Sequence, residues 1–211
     1  MKDIELVLFD LDGTLIDTID LIYLSFKHAT ISVLNENFTR KKLLRNIGRP
    51  LLDQMRIFSD TREEDLMRSY HEYNLRNHDQ MVSAYPNVSK ILSELSKRSK
   101  IGIVTSKRRD LAFRGIELCG LSGYIDIVVA MEDTTEHKPS PAPVLLALQE
   151  LETEKERSVF IGDSPFDIQA GRAAGVMTIA ALWGPFSKED LSKKRPDYII
   201  GKIEELPEII N

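Results

Sequence analysis

The sequence predicts an α/β protein: a Rossmann-like parallel sheet with helices on both faces, interrupted early by an inserted all-helical segment. Three observations predict it. Leu6-Val7-Leu8-Phe9 is an unbroken apolar run, the mark of a strand buried on both faces. Residues 17–82 then carry helical patterning with no strand signal. Beyond Arg98, short apolar strands alternate with helices, as in successive parallel βαβ units.

In the insertion, Ile19, Ile22, Phe26, Ala29 and Val33 fall on one side of a helix that Asp17 or Thr18 can cap. Residues 40–45 are basic and helical, and Asn46-Ile47-Gly48-Arg49-Pro50 breaks the run. Leu51 to Phe58 reads as a short apolar helix. Thr61-Arg62-Glu63-Glu64 resembles a capping box opening a long helix through Tyr70 and Tyr73 towards His78. One strand followed by so much helix does not continue a βαβ alternation. The expected division is a core of residues 1–16 and 83–211 and a helical cap of residues 17–82, joined near Leu15-Ile16-Asp17 and Ser83-Ala84.

In the core, Tyr85-Pro86-Asn87-Val88 turns into a helix ending near Arg98. Strands are then expected at 101–105, 125–131, 158–163, 176–182 and 198–200. Helices are expected at 110–119, 141–151, 165–174, 188–193 and 203–210, without internal repeats or low-complexity segments.

A chain of 211 residues, 42% apolar and 29% charged, has room for one large domain with an insertion. Its net charge of −5 gives no reason to expect nucleic acid or an anionic membrane as partner, so an anionic substrate must be attracted locally. The apolar runs are too short to span a bilayer. Met1-Lys2-Asp3 opens directly into a strand and is not a secretory signal. The single cysteine, Cys119, cannot form an internal disulfide, which suits a reducing cytoplasm, and it reads as a small buried hydrophobe. A monomer and a homodimer both remain open.

Four strands end in reactive side chains, and in a parallel sheet those ends share one edge, where open α/β sheets bind ligands. Asp10 and Asp12 are two apart in extended chain and emerge together. Two close carboxylates raise each other's pKa unless a cation lies between them, and Mg2+ is the usual hard ion where phosphate is present. Gly13 leaves backbone N–H groups open to an anion, and Thr14 adds a hydroxyl donor. Thr105 and Ser106 offer hydroxyls to a phosphate oxygen, followed by Lys107. Pro139 keeps Lys138 out of a helix, so that its ammonium is available to neutralise a carboxylate–phosphate cluster. Asp163 follows the fourth strand, and Asp167 lies in the first helical turn. Each piece alone is also a common turn, helix cap or solvated surface residue; the conjunction at one edge favours a site.

Taken in order, Asp10-Leu11-Asp12-Gly13-Thr14, Thr105-Ser106, Lys138-Pro139 and Gly162-Asp163 with Asp167 resemble the four motifs of the haloacid dehalogenase (HAD) superfamily. The resemblance covers the whole chain, and the insertion is similar to the helical cap of its phosphatase and phosphomutase branch. It implies Asp10 as nucleophile forming an aspartyl-phosphate, Asp12 as general acid/base, and Thr105 and Lys138 holding the phosphoryl group. It implies Mg2+ bound by Asp10, the backbone carbonyl of Asp12, and Asp163, with Asp167 in support. Dehalogenases lack the second aspartate, and sugar phosphomutases carry a cap histidine where this chain has Ile22. A receiver-like phosphate module needs no acid/base at Asp12.

The segments 47–51, 73–74, 78–79, 138–141 and 180–184 resemble the pyrophosphatase and phosphoglycolate phosphatase group. The expectation is a phosphohydrolase of a small phosphorylated metabolite, inorganic pyrophosphate or 2-phosphoglycolate, with a β-phosphoglucomutase-type mutase or a phosphate-binding module as alternatives. Arg49 departs from the group's less polar residue and is a candidate grip on a distal phosphate or carboxylate. His71 and His78 share a helix face, as cap packing or a metal pair, and Trp183 reads as a loop anchor or a substrate stacker.

Overall fold

The computed structural model describes residues 3–210; the first two residues of the N-terminal reading lie outside them. The chain runs through β1 (Leu6–Phe9), β2 (Ile16–Asp17), α1 (Ile19–Leu34), α2 (Arg40–Leu44), α3 (Leu51–Phe58), α4 (Glu63–Met81) and β3 (Ser83–Ala84). It continues through α5 (Val88–Leu95), β4 (Lys100–Val104), α6 (Arg109–Leu118), β5 (Ile127–Val129), α7 (Ala142–Glu150) and β6 (Ser158–Gly162). Last come α8 (Pro165–Ala174), β7 (Met177–Ala181), α9 (Lys188–Ser192), β8 (Tyr198–Ile200) and α10 (Leu206–Ile210).

Six strands form one parallel sheet in the order β5-β4-β1-β6-β7-β8. The strand order reverses at β1, which has β4 on one side and β6 on the other, so the carboxyl ends of these three strands meet at the switch point. Alternation along β1 explains its unbroken hydrophobicity. Val7 and Phe9 pack on one face with Ile91, Leu92 and Ile116 of α5 and α6. Leu6 and Leu8 pack on the other with Val144, Leu148 and Ala170 of α7 and α8.

Helices α1–α4 form a cap with an apolar cluster of its own, including Ile19, Ile22, Phe26, Leu43, Met55 and Tyr70. Phe26 sits at its centre, edge-on to Tyr70 at 4.9 Å between ring centroids. Ile16–Asp17 and Ser83–Ala84, where the chain leaves and re-enters the core, pair as a two-stranded antiparallel ribbon. Two residues per strand are too few for periodicity to reveal. Among the described residues no helix is long and apolar enough to cross a membrane.

Two local expectations are corrected and a third is narrowed to one of its two residues. The long cap helix starts at Glu63 with Arg62 at its N-cap, so Thr61 lies one residue too early to close a capping box with Glu64. Arg62 donates to Asp65 instead. Of the two residues expected to cap α1, Thr18 holds the N-cap position and turns its hydroxyl to Asp12, while Asp17 Oδ1 accepts from the Ile19 N–H at 3.3 Å. The strand expected over 125–131 shrinks to Ile127–Val129, since Met131–Asp133 turns into a 3-10 helix.

Gly102 on β4 pairs with Leu8 on β1, and a Cβ there would lie 2.6 Å from Leu8 Cδ2. Gly102→Ala should therefore overpack the core, at a cost of about 1–3 kcal/mol. Leu8→Ala should cost about 2–5 kcal/mol through the cavity it leaves. Urea unfolding of the double variant should show less than the sum, because each change relieves the other.

Candidate active site

Asp10 continues the ladder past β1, its N–H donating to Ile161 O at 2.8 Å. It is buried, as are Asp163 after β6 and Asp167 in the first turn of α8. One oxygen from each of the three lies within 4.8 Å of the others. Lys138, itself buried, reaches into this cluster. Its Nζ lies 2.6 Å from Asp167 Oδ1 and 2.9 Å from Asp10 Oδ1, and it donates to Val104 O at 3.2 Å. The Lys138-Pro139 peptide bond is cis.

Asp167 is fixed by the local sequence. Ser164 N–H and Oγ donate to Asp167 Oδ2 at 2.9 and 2.6 Å, and the Asp167 N–H donates back to Ser164 Oγ at 3.3 Å. This reciprocal capping box follows from Ser-Pro-Phe-Asp at a helix start.

Three carboxylates face one ammonium, and the imbalance appears in the titration of Asp10 and Asp163. Burial pushes Asp10 up to about 7, against the pull of Lys138 and with a further push from Asp167. Burial, then the charges of Asp10 and Asp167, raise Asp163 well above the usual carboxylate range. Burial opposes the Lys138 charge, but Asp10 and Asp167 hold its pKa above the ordinary lysine value. Asp163 Oδ2 is buried with no hydrogen-bond partner. An oxygen-only donor set, excess negative charge and an orphaned carboxylate oxygen fit a hard divalent cation such as Mg2+.

The Asp12 side chain stands outside this cluster. Its Oδ1 accepts from Thr18 Oγ1 at 2.7 Å and from Lys107 Nζ at 2.8 Å. Its side chain is thus not gathered with Asp10, Asp163 and Asp167 around the candidate metal position. Lys107 is the site residue whose target sequence reasoning missed. A lysine after a strand end signals a cation at the right edge, but nothing in the sequence names the carboxylate it meets.

Gly13 and Thr14 serve Asp163. Gly13 has φ +86°, and a Cβ there would lie 2.6 Å from Asp163 Oδ2. That close approach lets Thr14 Oγ1 donate to Asp163 Oδ1 at 2.7 Å, so its hydroxyl is not turned to the cavity. Trp183 Nε1 donates to Thr14 O at 3.0 Å, which makes it an anchor of this loop.

A cavity of about 440 Å³ lies between the strand ends and the cap. Asp10, Asp12, Thr105 and Lys138 line it from the core, and Ile22 and Arg49 from the cap. Ser106 also borders it, but its Oγ donates to Gly48 O of the cap at 2.7 Å, latching the two layers. The Arg49 guanidinium rests over the Phe166 ring of α8, 4.8 Å from its centroid. The two histidines have different surroundings: His78 is fully buried with Nδ1 3.0 Å from Asp79 Oδ1, and His71 lies edge-on to Tyr70 and borders the cavity.

Such an edge, with a buried carboxylate, a second acid two residues on and a buried lysine, defines a phosphoryl-handling hydrolase fold. The model of the haloacid dehalogenase-like hydrolase family matches residues 7–181, and the chain belongs to that family. It is a HAD-type phosphatase.

Among its relatives, pyrophosphatase PpaX of Oceanobacillus iheyensis is 38% identical, over 98% of this chain and 97% of its own. Pyrophosphatase PpaX of Bacillus pumilus is 37% identical, over 98% and 96%. A haloacid dehalogenase-like family hydrolase from Streptococcus pneumoniae superposes over 100% of both chains with a TM-score of 0.90 at 25% identity. The same fold recurs in a predicted phosphoglycolate phosphatase from Haemophilus somnus, with a TM-score of 0.91 at 22% identity.

The raised pKa of Asp10 gives stability a pH dependence. A carboxyl with a raised folded pKa binds its proton more tightly when folded, so its contribution is full at acid pH, below the unfolded value of 3.8. It is lost as pH rises through about 7. Chelated wild-type protein should lose melting temperature between pH 5 and pH 8 more steeply than Asp10→Asn, and Mg2+ should flatten the wild-type slope. Parallel slopes in scanning calorimetry would overturn this assignment.

Proposed function

We propose that this protein is a Mg2+-dependent phosphohydrolase that works through an aspartyl-phosphate on Asp10. The observation that carries the reading is Lys138 buried between Asp10 and Asp167 beside the orphaned oxygen of Asp163. A carboxylate attacking a phosphate dianion is repelled unless local positive charge offsets both. Bound to Asp10, Asp163 and the Asp12 carbonyl with Asp167 in support, Mg2+ would supply charge neutralisation. Lys138 would hold Asp10 in place for attack and meet a phosphoryl oxygen, and Thr105 at the end of β4 would donate to another. Asp12 would protonate the leaving oxygen and then take a proton from the water that hydrolyses the intermediate.

Inorganic pyrophosphate is the first candidate substrate, supported by relatives named pyrophosphatase that match nearly the full chain. 2-Phosphoglycolate is the second. A mutase reading is disfavoured by Ile22 on the cavity wall, whose side chain cannot shuttle a proton. Residues 17–82 would act as a lid hinged at the β2–β3 ribbon, with Arg49 meeting the non-transferred end of the substrate. A cytoplasmic location fits the lone Cys119, whose thiol burial holds above its usual pKa and so unreactive.

Asp10→Asn should keep the fold and lower kcat at least about 100-fold, and exhaustive chelation should abolish turnover of the wild type. Arg49→Ala should lower kcat/KM about 10- to 100-fold on the natural substrate and far less on a small aryl phosphate, because a remote grip positions only substrates that reach it. Phosphate release from pyrophosphate, 2-phosphoglycolate and p-nitrophenyl phosphate measures all three. Full activity of Asp10→Asn would end the covalent reading.

A further inference from the structure

Asp12 has two partners, and both bind the same oxygen. Lys107 Nζ is 2.8 Å from Oδ1, and Thr18 Oγ1 donates to Oδ1 at 2.7 Å. Among the described residues no side chain donates to Oδ2. The ion pair is sheltered, with the Lys107 side chain 9% exposed and that of Asp12 15% exposed. Lys107 is also fixed at its backbone. Its N–H donates to Thr105 Oγ1 at 3.2 Å, and its carbonyl accepts from the Met131 N–H at 3.0 Å. Held at the carboxyl end of β4, it reaches across to the loop after β1. A charge-assisted bond of this kind restricts a carboxylate far more than a neutral one.

We propose that Lys107 is a positioning residue for the reaction: it holds Asp12 Oδ1, so that Oδ2 is the oxygen that trades protons with the leaving group and with water. This rests on the phosphohydrolase reading. In the first step Asp10 forms a bond to phosphorus as the bond to the leaving oxygen breaks. The electron pair stays on that oxygen, which takes the proton from Asp12 Oδ2. In the second, water gives a proton to Oδ2 as it attacks phosphorus, and the Asp10 carboxylate departs.

Without Lys107 the Asp12 carboxylate keeps only the neutral Thr18 hydroxyl on Oδ1, a weaker restraint on its last torsion, and Oδ2 spends less time in line for proton transfer. Leaving groups that need a proton then suffer most. A role in folding, or in gripping the transferred phosphoryl, would instead slow every substrate alike.

The test is a series of phosphate monoesters graded by leaving-group pKa, from p-nitrophenyl to alkyl, turned over with Mg2+ by wild type and Lys107→Met. The variant should lose about 30- to 100-fold in kcat on the alkyl esters, at or below the low end of the 10²–10⁴ that proton transfer contributes, because Asp12 itself is kept. In the p-nitrophenolate burst, which reports the first step alone, it should lose less than about 3-fold, because that leaving group needs little protonation; the later water step, common to every ester, slows as well. In an Asp12→Asn background, read on the p-nitrophenolate burst, the same substitution should cost less than about 2-fold, because coupled residues do not add. If Lys107→Met does not fold, Lys107→Gln puts the same question. A uniform loss in the first step across the series, or an undiminished loss in the Asp12→Asn background, would overturn the proposal. A wild type inactive on every monoester and on pyrophosphate would overturn the phosphohydrolase reading itself, and this proposal with it.

Discussion

A buried ammonium between two buried carboxylates is the constraint on which the rest of this molecule depends. Taking Lys138 out of water is costly, and only close partners offset it. They come from the loop after β1 (Asp10), the start of α8 (Asp167) and the last residue of β4 (Val104 O). One side chain thus ties together the ends of the central strands and a helix that follows them. The packing around it allows no slack: a Cβ on Gly162 would lie 2.3 Å from Asp167 Cβ, so only glycine lets the strand pass the acid it precedes. Removing the lysine would leave like charges facing one another in a dry site, a much larger penalty than losing a surface ion pair.

What the sequence made legible follows from chemistry that is local. The run Leu6–Phe9 shows its burial in its own composition, and Ser164-Pro165-Phe166-Asp167 shows its capping box in its own spacing. Strand ends that share an edge could be grouped before any coordinate was known, because parallel pairing fixes the direction of every strand. Side-chain destinations across the fold could not be read. Thr14 advertised a hydroxyl, but its acceptor, Asp163, lies 149 positions away. Lys107 and Asp12 are separated by 95 positions, and Ser106 reaches the cap at Gly48, 58 positions back. A donor in the sequence says that a bond will be made, not with whom. Thr61 failed for the opposite reason: the motif was local, but the helix began one residue later than the motif required.

Cap and core are joined very differently from the way each is held within itself. Inside the cap, aromatic rings and aliphatic chains form a continuous apolar cluster, and the sheet has one on each face. Between them polar contacts recur, Ser106 to Gly48, Thr18 to Asp12, Arg114 to Asp79 at 2.7 Å in an exposed pair and Arg49 over Phe166, beside local apolar ones such as Leu21 in the core cluster and Phe186 against the cap cluster. The exposed polar contacts are individually weak in water, of order 1 kcal/mol or less.

The β2–β3 ribbon carries a consequence for the history of the molecule. Because Ile16–Asp17 and Ser83–Ala84 are already paired, the core sees the whole cap as a single long hairpin loop whose ends are pinned side by side. Loop-closure entropy grows only slowly with length, so the core is nearly indifferent to what lies beyond that clasp. A different set of helices, a shorter loop or another small domain can be grafted at this one junction without disturbing strand order or the buried lysine. The sheet and the helical insertion are thus joined so that one can be exchanged without rebuilding the other.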